Sequence, residues 1–229
     1  MADDVLPDIL ANVKKEFEKR YKSSDVIKQL LDDKTSFSNA NKFSKAVGEI
    51  LADVLGQEVT IDLLPDGHMY FNIADRLLRD VLGNNHRIIT GYAEDVQAYL
   101  NKQAKIGLKI QSPKINNDRI VGLVNRLDET DIYDDIAWIM NAPIVNFSQA
   151  VVDDFIKSNV SFHAKAGLRP KITRIVVGKC CDWCERKAGT YNYPVPDDFY
   201  MRHQRCDCIV EYHPRDGRGI QNSHTKAWR

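Results

Sequence analysis

Apolar side chains recur at helical spacing through most of the chain. The clearest stripe runs from residue 43 to residue 55, with Lys, Ser, Glu and Asp between the apolar positions. A repeat near 3.6 residues is typical of an amphipathic α-helix that buries one face. Ser38 or Asn39 is its predicted N-cap, and Gly56 is its predicted end. The stripe consists of Phe43, Val47, Ile50, Leu51, Val54 and Leu55.

Other stripes predict helices on both sides of this one. A shorter amphipathic helix is predicted after Pro7, and Leu64–Gly67 has the chemistry of a turn. A long helical stretch follows that turn. Gly83-Asn84-Asn85 is predicted to kink or break it, and Ser112-Pro113 to end it. The apolar positions are Ile9, Leu10, Val13 and Phe17 in the short helix, and Ile73, Leu77, Leu78, Val81, Leu82, Ile88, Ile89, Tyr92, Val96, Tyr99 and Leu100 in the long stretch.

The last helices and the first strands meet near residue 165. One helix is predicted from Ile120 onward with its cap near Asn117 or Asp118, and another over 147–155. Gly167 and Pro170 are predicted to close the helical region. Two short β-branched segments, 172–177 and 208–212, then favour strands.

The change of period predicts the fold class and the division of the chain. The class is α+β and mainly α-helical. We expect a helical body over 1–165, a small zinc-stapled α+β module over 166–215, and a polar C-terminal tail over 216–229. A module of this size rarely builds a sufficient core by itself, so a metal staple is expected there.

The cysteines have a metal-ligand spacing. All five fall within 29 residues, and none occurs among the first 179. Tetrahedral zinc takes four nitrogen or sulfur ligands, commonly from pairs three residues apart. Cys181 and Cys184 are predicted to supply two, and His203 and Cys206 the other two. Cys208 competes with Cys206 for the fourth position. Cys180 is the predicted bystander.

A closed set of four protein ligands predicts a structural zinc ion. No position then remains for a reactive water, and metal binding contributes folding free energy, roughly 10 kcal/mol or more in small peptides. Two alternatives are reduced packing cysteines and a redox centre, although no thioredoxin-like βαβ pattern surrounds the Cys-x-x-Cys pair.

Composition limits the other functional classes. No apolar run is long enough for a membrane span, and the N-terminus lacks the basic and then apolar start of a secretory signal. A reducing cytoplasm is therefore expected, where clustered cysteines favour metal over disulfides. The net charge is zero, but Lys and Arg exceed Asp and Glu by six over residues 165–229. This basic end makes DNA contact a weakly supported candidate.

The cysteine segment resembles a known family. Three segments carry the resemblance: Val177–Tyr191 with its Cys-x-x-Cys pair, the loop 193–198 with two prolines, and Arg202–Val210 with His-x-x-Cys-x-Cys. Together they resemble the C-terminal signature of phage minor head proteins, the Mu F-like head morphogenesis family. The segments 103–108, 117–123 and 138–147 are similar to the version in phages of Gram-positive bacteria. In this sequence Ala188-Gly189 stands in place of the family's Leu-x-Gly element.

The resemblance implies a non-enzymatic virion protein. Such a minor capsid protein is present in low copy inside the head, associates with the portal, and takes part in head assembly and in DNA packaging or exit. A major capsid or scaffold protein is a further candidate partner. The implied location is the capsid interior, and the host cytoplasm during assembly. The implied metal ligands are Cys181, Cys184, His203, and Cys206 or Cys208.

An enzymatic alternative remains open. A zinc-containing phage nuclease or other DNA-processing enzyme would use a histidine near the metal, and His213 and His224 follow the cysteines. The chain has no phosphate-binding loop and no nucleophile elbow. We therefore expect no enzymatic activity, with the nuclease as the competing hypothesis.

Overall fold

The fold is mainly α-helical with a small antiparallel sheet, as the sequence predicted. The structure, a computed structural model, describes residues 4–178, 181–203 and 205–214. Short 3₁₀ segments lie between helices at 61–63, 65–67 and 137–140, and another lies between two strands at 197–200. The α-helices of the described residues are α1 (Leu6–Ser23), α2 (Asp25–Asp32), α3 (Phe37–Glu58), α4 (Phe71–Gln103), α5 (Asn117–Leu127), α6 (Tyr133–Ile136), α7 (Ala142–Lys165) and α8 (Asp182–Lys187).

Helix α3 begins earlier than its sequence predicted. The Ser36 hydroxyl accepts a hydrogen bond from the Asn39 amide at 3.2 Å, so Ser36 is the N-cap and the prediction of Ser38 or Asn39 is wrong. Phe37, which is buried, already belongs to the helix and extends its apolar stripe. Gly56 does not end it either, because the helix continues to Glu58.

Helix α4 runs without a break from Phe71 to Gln103, so the predicted break at Gly83-Asn84-Asn85 is wrong. The buried Asn85 donates a 2.7 Å hydrogen bond to Ser148 on α7, so this polar side chain has a hydrogen-bond partner inside the protein. The helix also ends before Ser112-Pro113. Lys105 has φ of +56°, and the Ile106 amide bonds the Asn101 carbonyl at 2.9 Å, which is the geometry of a helix C-terminus.

The later helices lie close to their predicted positions. Asn116 caps α5 by accepting from the Arg119 amide at 3.1 Å, one residue before the predicted cap. Helix α7 includes the predicted segment 147–155 and ends at Lys165, just ahead of Gly167. Among the described residues, none of the helices combines the length and the apolarity that a membrane span requires.

The sheet has three strands in the order β2-β1-β3, and both pairings are antiparallel. The strands are β1 (Lys171–Ile175), β2 (Gly189–Asn192) and β3 (Ile209–Tyr212). Strands β1 and β3 were predicted, whereas β2 was not. In the central pair, Ile172 faces Tyr212 and Arg174 faces Val210. The Asn41 amide of α3 donates to the Val210 carbonyl at 3.1 Å, which ties β3 to the helices.

One apolar core joins the helices to the sheet. Ile172, Val210 and Tyr212 of the sheet and Phe199 of the following loop belong to the same buried cluster as the helix stripes. A second, separate buried group contains three cysteines. The metal-ligand candidates therefore lie beside the main core, against a sheet that packs on the helices.

Candidate metal centre

Local structure brings distant cysteines together. Cys181 is the residue before α8, and Cys184 is buried in the first turn of that helix. His203 follows the 3₁₀ segment 197–200, and a turn in which the Cys206 amide bonds the His203 carbonyl at 3.2 Å leads towards β3. Arg205 in that turn has φ of +58°. The antiparallel sheet folds both segments onto one end of β1.

The five predicted ligands form two overlapping groups. Cys181, Cys184 and His203 form one, and Cys184, Cys206 and Cys208 form the other; within each group the ligand atoms lie within 4.8 Å of one another. Cys184 is common to both. The predicted residues therefore converge on one place, and this cluster could hold a metal ion.

One separation between two candidate sulfur ligands equals that of a tetrahedral site, and the imidazole nitrogen lies closer still to two sulfurs. Zinc–sulfur bonds of about 2.3 Å put two sulfur ligands roughly 3.8 Å apart. Sγ of Cys184 lies 3.8 Å from Sγ of Cys206. The His203 Nε2 atom lies 3.0 Å from the Cys184 sulfur and 3.3 Å from the Cys181 sulfur. These distances place donor atoms close together around Cys184, and both ligand groups contain that residue.

Neighbouring groups change the acidity of the thiols. Hydrogen bonding from the backbone of Cys184 lowers the pKa of the exposed Cys181 thiol. Hydrogen bonding with Cys208 lowers the pKa of Cys206 to about 4, and the same interaction raises the pKa of Cys208. The two neighbouring thiols thus differ, with Cys206 the more readily ionised.

A buried arginine lies against the cluster. Arg174 of β1 is 1% exposed, and its Nη2 lies 3.7 Å from the sulfur of Cys206. Its guanidinium carbon lies 5.4 Å from the ring centre of Trp183, on α8. The Trp183 ring also meets the His203 ring edge to face at 6.1 Å. Packing of these side chains holds the ligand-bearing segments in register.

A second arginine holds the loop to the helices. Arg202 donates to the carbonyl of Cys208 at 2.8 Å and to the side chain of Asn41 on α3 at 3.1 Å. It also forms a buried ion pair with Asp153 of α7. The Asn146 amide of α7 donates to the His203 carbonyl at 3.0 Å. Both α3 and α7 therefore position the ligand loop.

The remaining candidates lie elsewhere. His213 lines a groove of about 620 Å³ with Thr35, Tyr99 and Lys171, and it belongs to neither ligand group. Cys180 and His224 lie outside the described residues, as does the polar tail from 216 onward. Neither Arg174 nor Arg202 had a role predicted from the sequence: no motif contains Arg174, and Arg202 is only the first residue of the segment 202–210 that carries the family resemblance. The sequence held two local signals of their importance: Arg174 lies two residues into a predicted strand, and Arg202 directly precedes the candidate ligand His203.

No protein-family model, curated protein or solved structure matches this chain. The functional interpretation therefore depends on the residues of the cluster and on their geometry.

Proposed function

We propose that the cluster binds one zinc ion that has a structural role. The donor set consists of thiolates and one imidazole, which suit zinc better than the oxygen ligands preferred by magnesium or calcium. Four of these donors complete a tetrahedron and leave no position for a reactive water. The ion would join the segment around α8 to the segment around His203 and Cys206, which lie on either side of β2.

We further propose that the chain is a minor head protein of a tailed bacteriophage, located inside the capsid and associated with the portal. One observation supports this proposal. The two halves of the signature that resembles this family lie far apart in the sequence but come together in the structure. They are Cys181-x-x-Cys184 and His203-x-x-Cys206-x-Cys208. The signature thus describes a single site. In this proposal the metal centre maintains the shape of the protein, and the protein performs no catalysis.

The proposed partners follow from the same assignment. The portal protein is the first partner, and the major capsid or scaffold protein is a second candidate. The protein would assemble in the bacterial cytoplasm and remain in the virion. DNA contact is proposed only through the excess of basic residues after residue 165. A salt-dependent affinity for duplex DNA would support that contact, and a flat salt response would remove it.

Co-expression with a tailed-phage portal protein from the same source as this chain tests the assignment. We expect the two proteins to co-elute in size-exclusion chromatography, with few copies of this chain per portal ring. The zinc-free double variant Cys181→Ser/Cys184→Ser should elute separately if the metal maintains the binding shape. Elution of the wild-type chain apart from the portal contradicts the proposal.

A DNA cleavage assay tests the nuclease alternative. The zinc-loaded protein and its His213→Ala variant are incubated with duplex DNA and added magnesium or manganese. We expect no cleavage by either protein. Cleavage by the wild type that is lost in His213→Ala would replace the structural assignment with an enzymatic one.

A further inference from the structure

The guanidinium of Arg174 has an unusual position beside a candidate metal site. It is almost wholly excluded from solvent, with 1% of its surface exposed, and it carries a charge that no carboxylate neutralises within hydrogen-bonding distance among the described residues. A buried cation without a paired anion is costly. Asp198 acts on Arg174 through a Coulombic interaction without an ion pair, so the sulfur of Cys206 is the group in direct contact that can supply negative charge.

The donors of Arg174 point to the ligand loop. Nη1 donates to the carbonyl of Phe199, and Nη2 donates to the carbonyl of Met201 at 3.1 Å. Nη2 also donates to the sulfur of Cys206 at 3.7 Å. Because a guanidinium has donors and no acceptor, that sulfur must accept. Within the described residues, the Nε of Arg174 has no partner.

The charges of a loaded site complement this cation. Three thiolates and a neutral imidazole around a divalent ion leave a net single negative charge. Because Arg174 lies next to one of these sulfurs, the excess negative charge of the site would be drawn towards its guanidinium. Hydrogen bonds to ligand atoms from such outer residues typically change metal affinity by about 10- to 100-fold.

The two candidate sulfurs differ in their contacts with arginine. Cys206 receives the Nη2 donor of Arg174 at its sulfur, whereas the contact between Cys208 and Arg202 is at the Cys208 carbonyl oxygen. The distance to Cys184 does not distinguish the two sulfurs, because Cys206 and Cys208 belong to the same ligand group with Cys184. The donor of Arg174 at the Cys206 sulfur is therefore the contact on which the preference depends.

We propose that Arg174 is a positioning residue of the metal centre, and that its hydrogen bond selects Cys206 rather than Cys208 as the fourth ligand. The inference rests on the metal site proposed above. Cys208 then remains a buried thiol next to the site. Loss of Arg174 removes the preference, so that Cys208 can replace Cys206.

Metal titrations of the full chain test this selection. Cobalt(II) serves as the optical probe because its sulfur charge-transfer absorption reports the number of thiolate ligands, and zinc affinity is measured by competition with a chromophoric chelator. Cys206→Ser and Cys208→Ser are each made in the wild type and in Arg174→Met. Arg186→Met is the matched control, because Arg186 is an exposed arginine on α8, two residues from Cys184.

The expected result is a coupling between two positions. In the wild type, Cys206→Ser weakens zinc binding by about 10-fold or more and reduces the cobalt charge-transfer band, whereas Cys208→Ser changes neither. In Arg174→Met, zinc binds about 10-fold more weakly and the two serine variants become alike. Arg186→Met keeps the wild-type preference, because it removes the same charge without the hydrogen bond.

Other outcomes overturn the inference separately from the metal site. If the wild type binds no metal, the metal centre itself is wrong. If the wild type binds metal and Arg174→Met keeps the full difference between the serine variants, Arg174 has only a packing role. If Arg174→Met does not fold, Arg174→Gln decides, since its amide can still donate to the loop carbonyls while its shorter, neutral side chain lacks the terminal donor at the sulfur. A preference for Cys206 that persists in Arg174→Gln contradicts selection by the hydrogen bond.

Discussion

Arg202 and Asp153 form an ion pair inside the protein, with Nη2 of Arg202 2.9 Å from Oδ1 of Asp153. The side chains are 3% and 1% exposed. The same guanidinium donates to the carbonyl of Cys208 and to Asn41 on α3. This one side chain therefore connects the candidate metal loop to both α3 and α7.

Removal of one partner from this pair should destabilise the fold strongly. We expect Arg202→Met to lower the free energy of unfolding by about 3–5 kcal/mol, because Asp153 is left buried and unpaired. Urea denaturation followed by circular dichroism measures the change. The double variant Arg202→Met/Asp153→Leu should recover part of the loss.

An exposed ion pair provides the control for that experiment. Lys22 and Glu18 are 71% and 65% exposed at their side chains and lie one helical turn apart on α1. Lys22→Met should leave the urea midpoint almost unchanged, since solvent screens such pairs. Equal effects of Lys22→Met and Arg202→Met would contradict the structural role given to the buried pair.

The close approach of α3 and α7 depends on Gly48. A Cβ atom at this position would lie 2.7 Å from the Ser148 hydroxyl oxygen and 3.1 Å from the Cα of Val145, both on α7. We expect Gly48→Ala to destabilise the protein by about 1–3 kcal/mol, because the two helices must separate. Thermal and urea denaturation measure the loss.

Gly83 offers the matched substitution on another helix. It lies inside α4 with no atom within 4 Å of an added Cβ. Gly83→Ala should stabilise the protein by roughly 0.5–1 kcal/mol through helix propensity. If Gly48→Ala were also stabilising, the packing of α3 against α7 would be looser than the structure indicates.

Local chemistry explains which features the sequence predicted. The candidate cluster follows from residue type and short spacing, so its members could be predicted to lie together. They are Cys181, Cys184, His203, Cys206 and Cys208. Arg174 could not be, because it contacts Cys206 from 32 positions away in the sequence. Arg202 meets Asp153 across 49 positions for the same reason. Long-range polar contacts leave no periodic signal.

Helix boundaries and weak strands were harder to predict than helices. The Gly83-Asn84-Asn85 step has poor helix propensity, yet α4 continues through it because flanking apolar residues are buried and Asn85 bonds Ser148. Strand β2 was missed because most of Gly189–Asn192 is exposed and lacks alternation. Its pairing with β1 decides its conformation.

A buried histidine should make stability depend on pH. Burial lowers the pKa of His163 below its ordinary value of 6.5, and its Nδ1 meets the Tyr212 hydroxyl at 2.5 Å. The unfolded chain therefore binds a proton at a higher pH than the folded protein does. The contribution to stability is present above about pH 6.5 and is lost as the pH falls through the lowered pKa.

Two variants separate the causes of this pH dependence. We expect urea midpoints of the wild type to fall between pH 7.5 and 5.5, and His163→Gln to reduce that fall. Tyr212→Phe should keep most of the dependence, because burial is the cause of the shift. If His163→Gln retains the full pH dependence, another group is responsible.

Cys184 should be the most sensitive of the candidate ligands. It is buried and belongs to both ligand groups, so its loss removes the sulfur that joins them. We expect Cys184→Ser to abolish stoichiometric zinc binding, measured by elemental analysis after gel filtration. Cys180→Ser is the control, because the spacing predicts that Cys180 does not bind the metal. Retention of zinc by Cys184→Ser would contradict the proposed centre.

Zinc removal should affect the helices as well as the loop. The sheet shares its buried cluster with the helices through Ile172, Val210 and Tyr212, and Arg202 ties the ligand loop to α7. A strong chelator is therefore expected to lower the melting temperature of the whole chain, with helical circular dichroism and Trp183 fluorescence changing in one transition. The Cys181→Ser/Cys184→Ser variant should melt at the temperature of the chelator-treated wild type and show no response to chelator.

Two other outcomes would contradict this expectation. Two separate transitions would support the division into a helical body and an independent module at residue 165. A melting temperature unchanged by chelation would mean that the ion does not stabilise this fold.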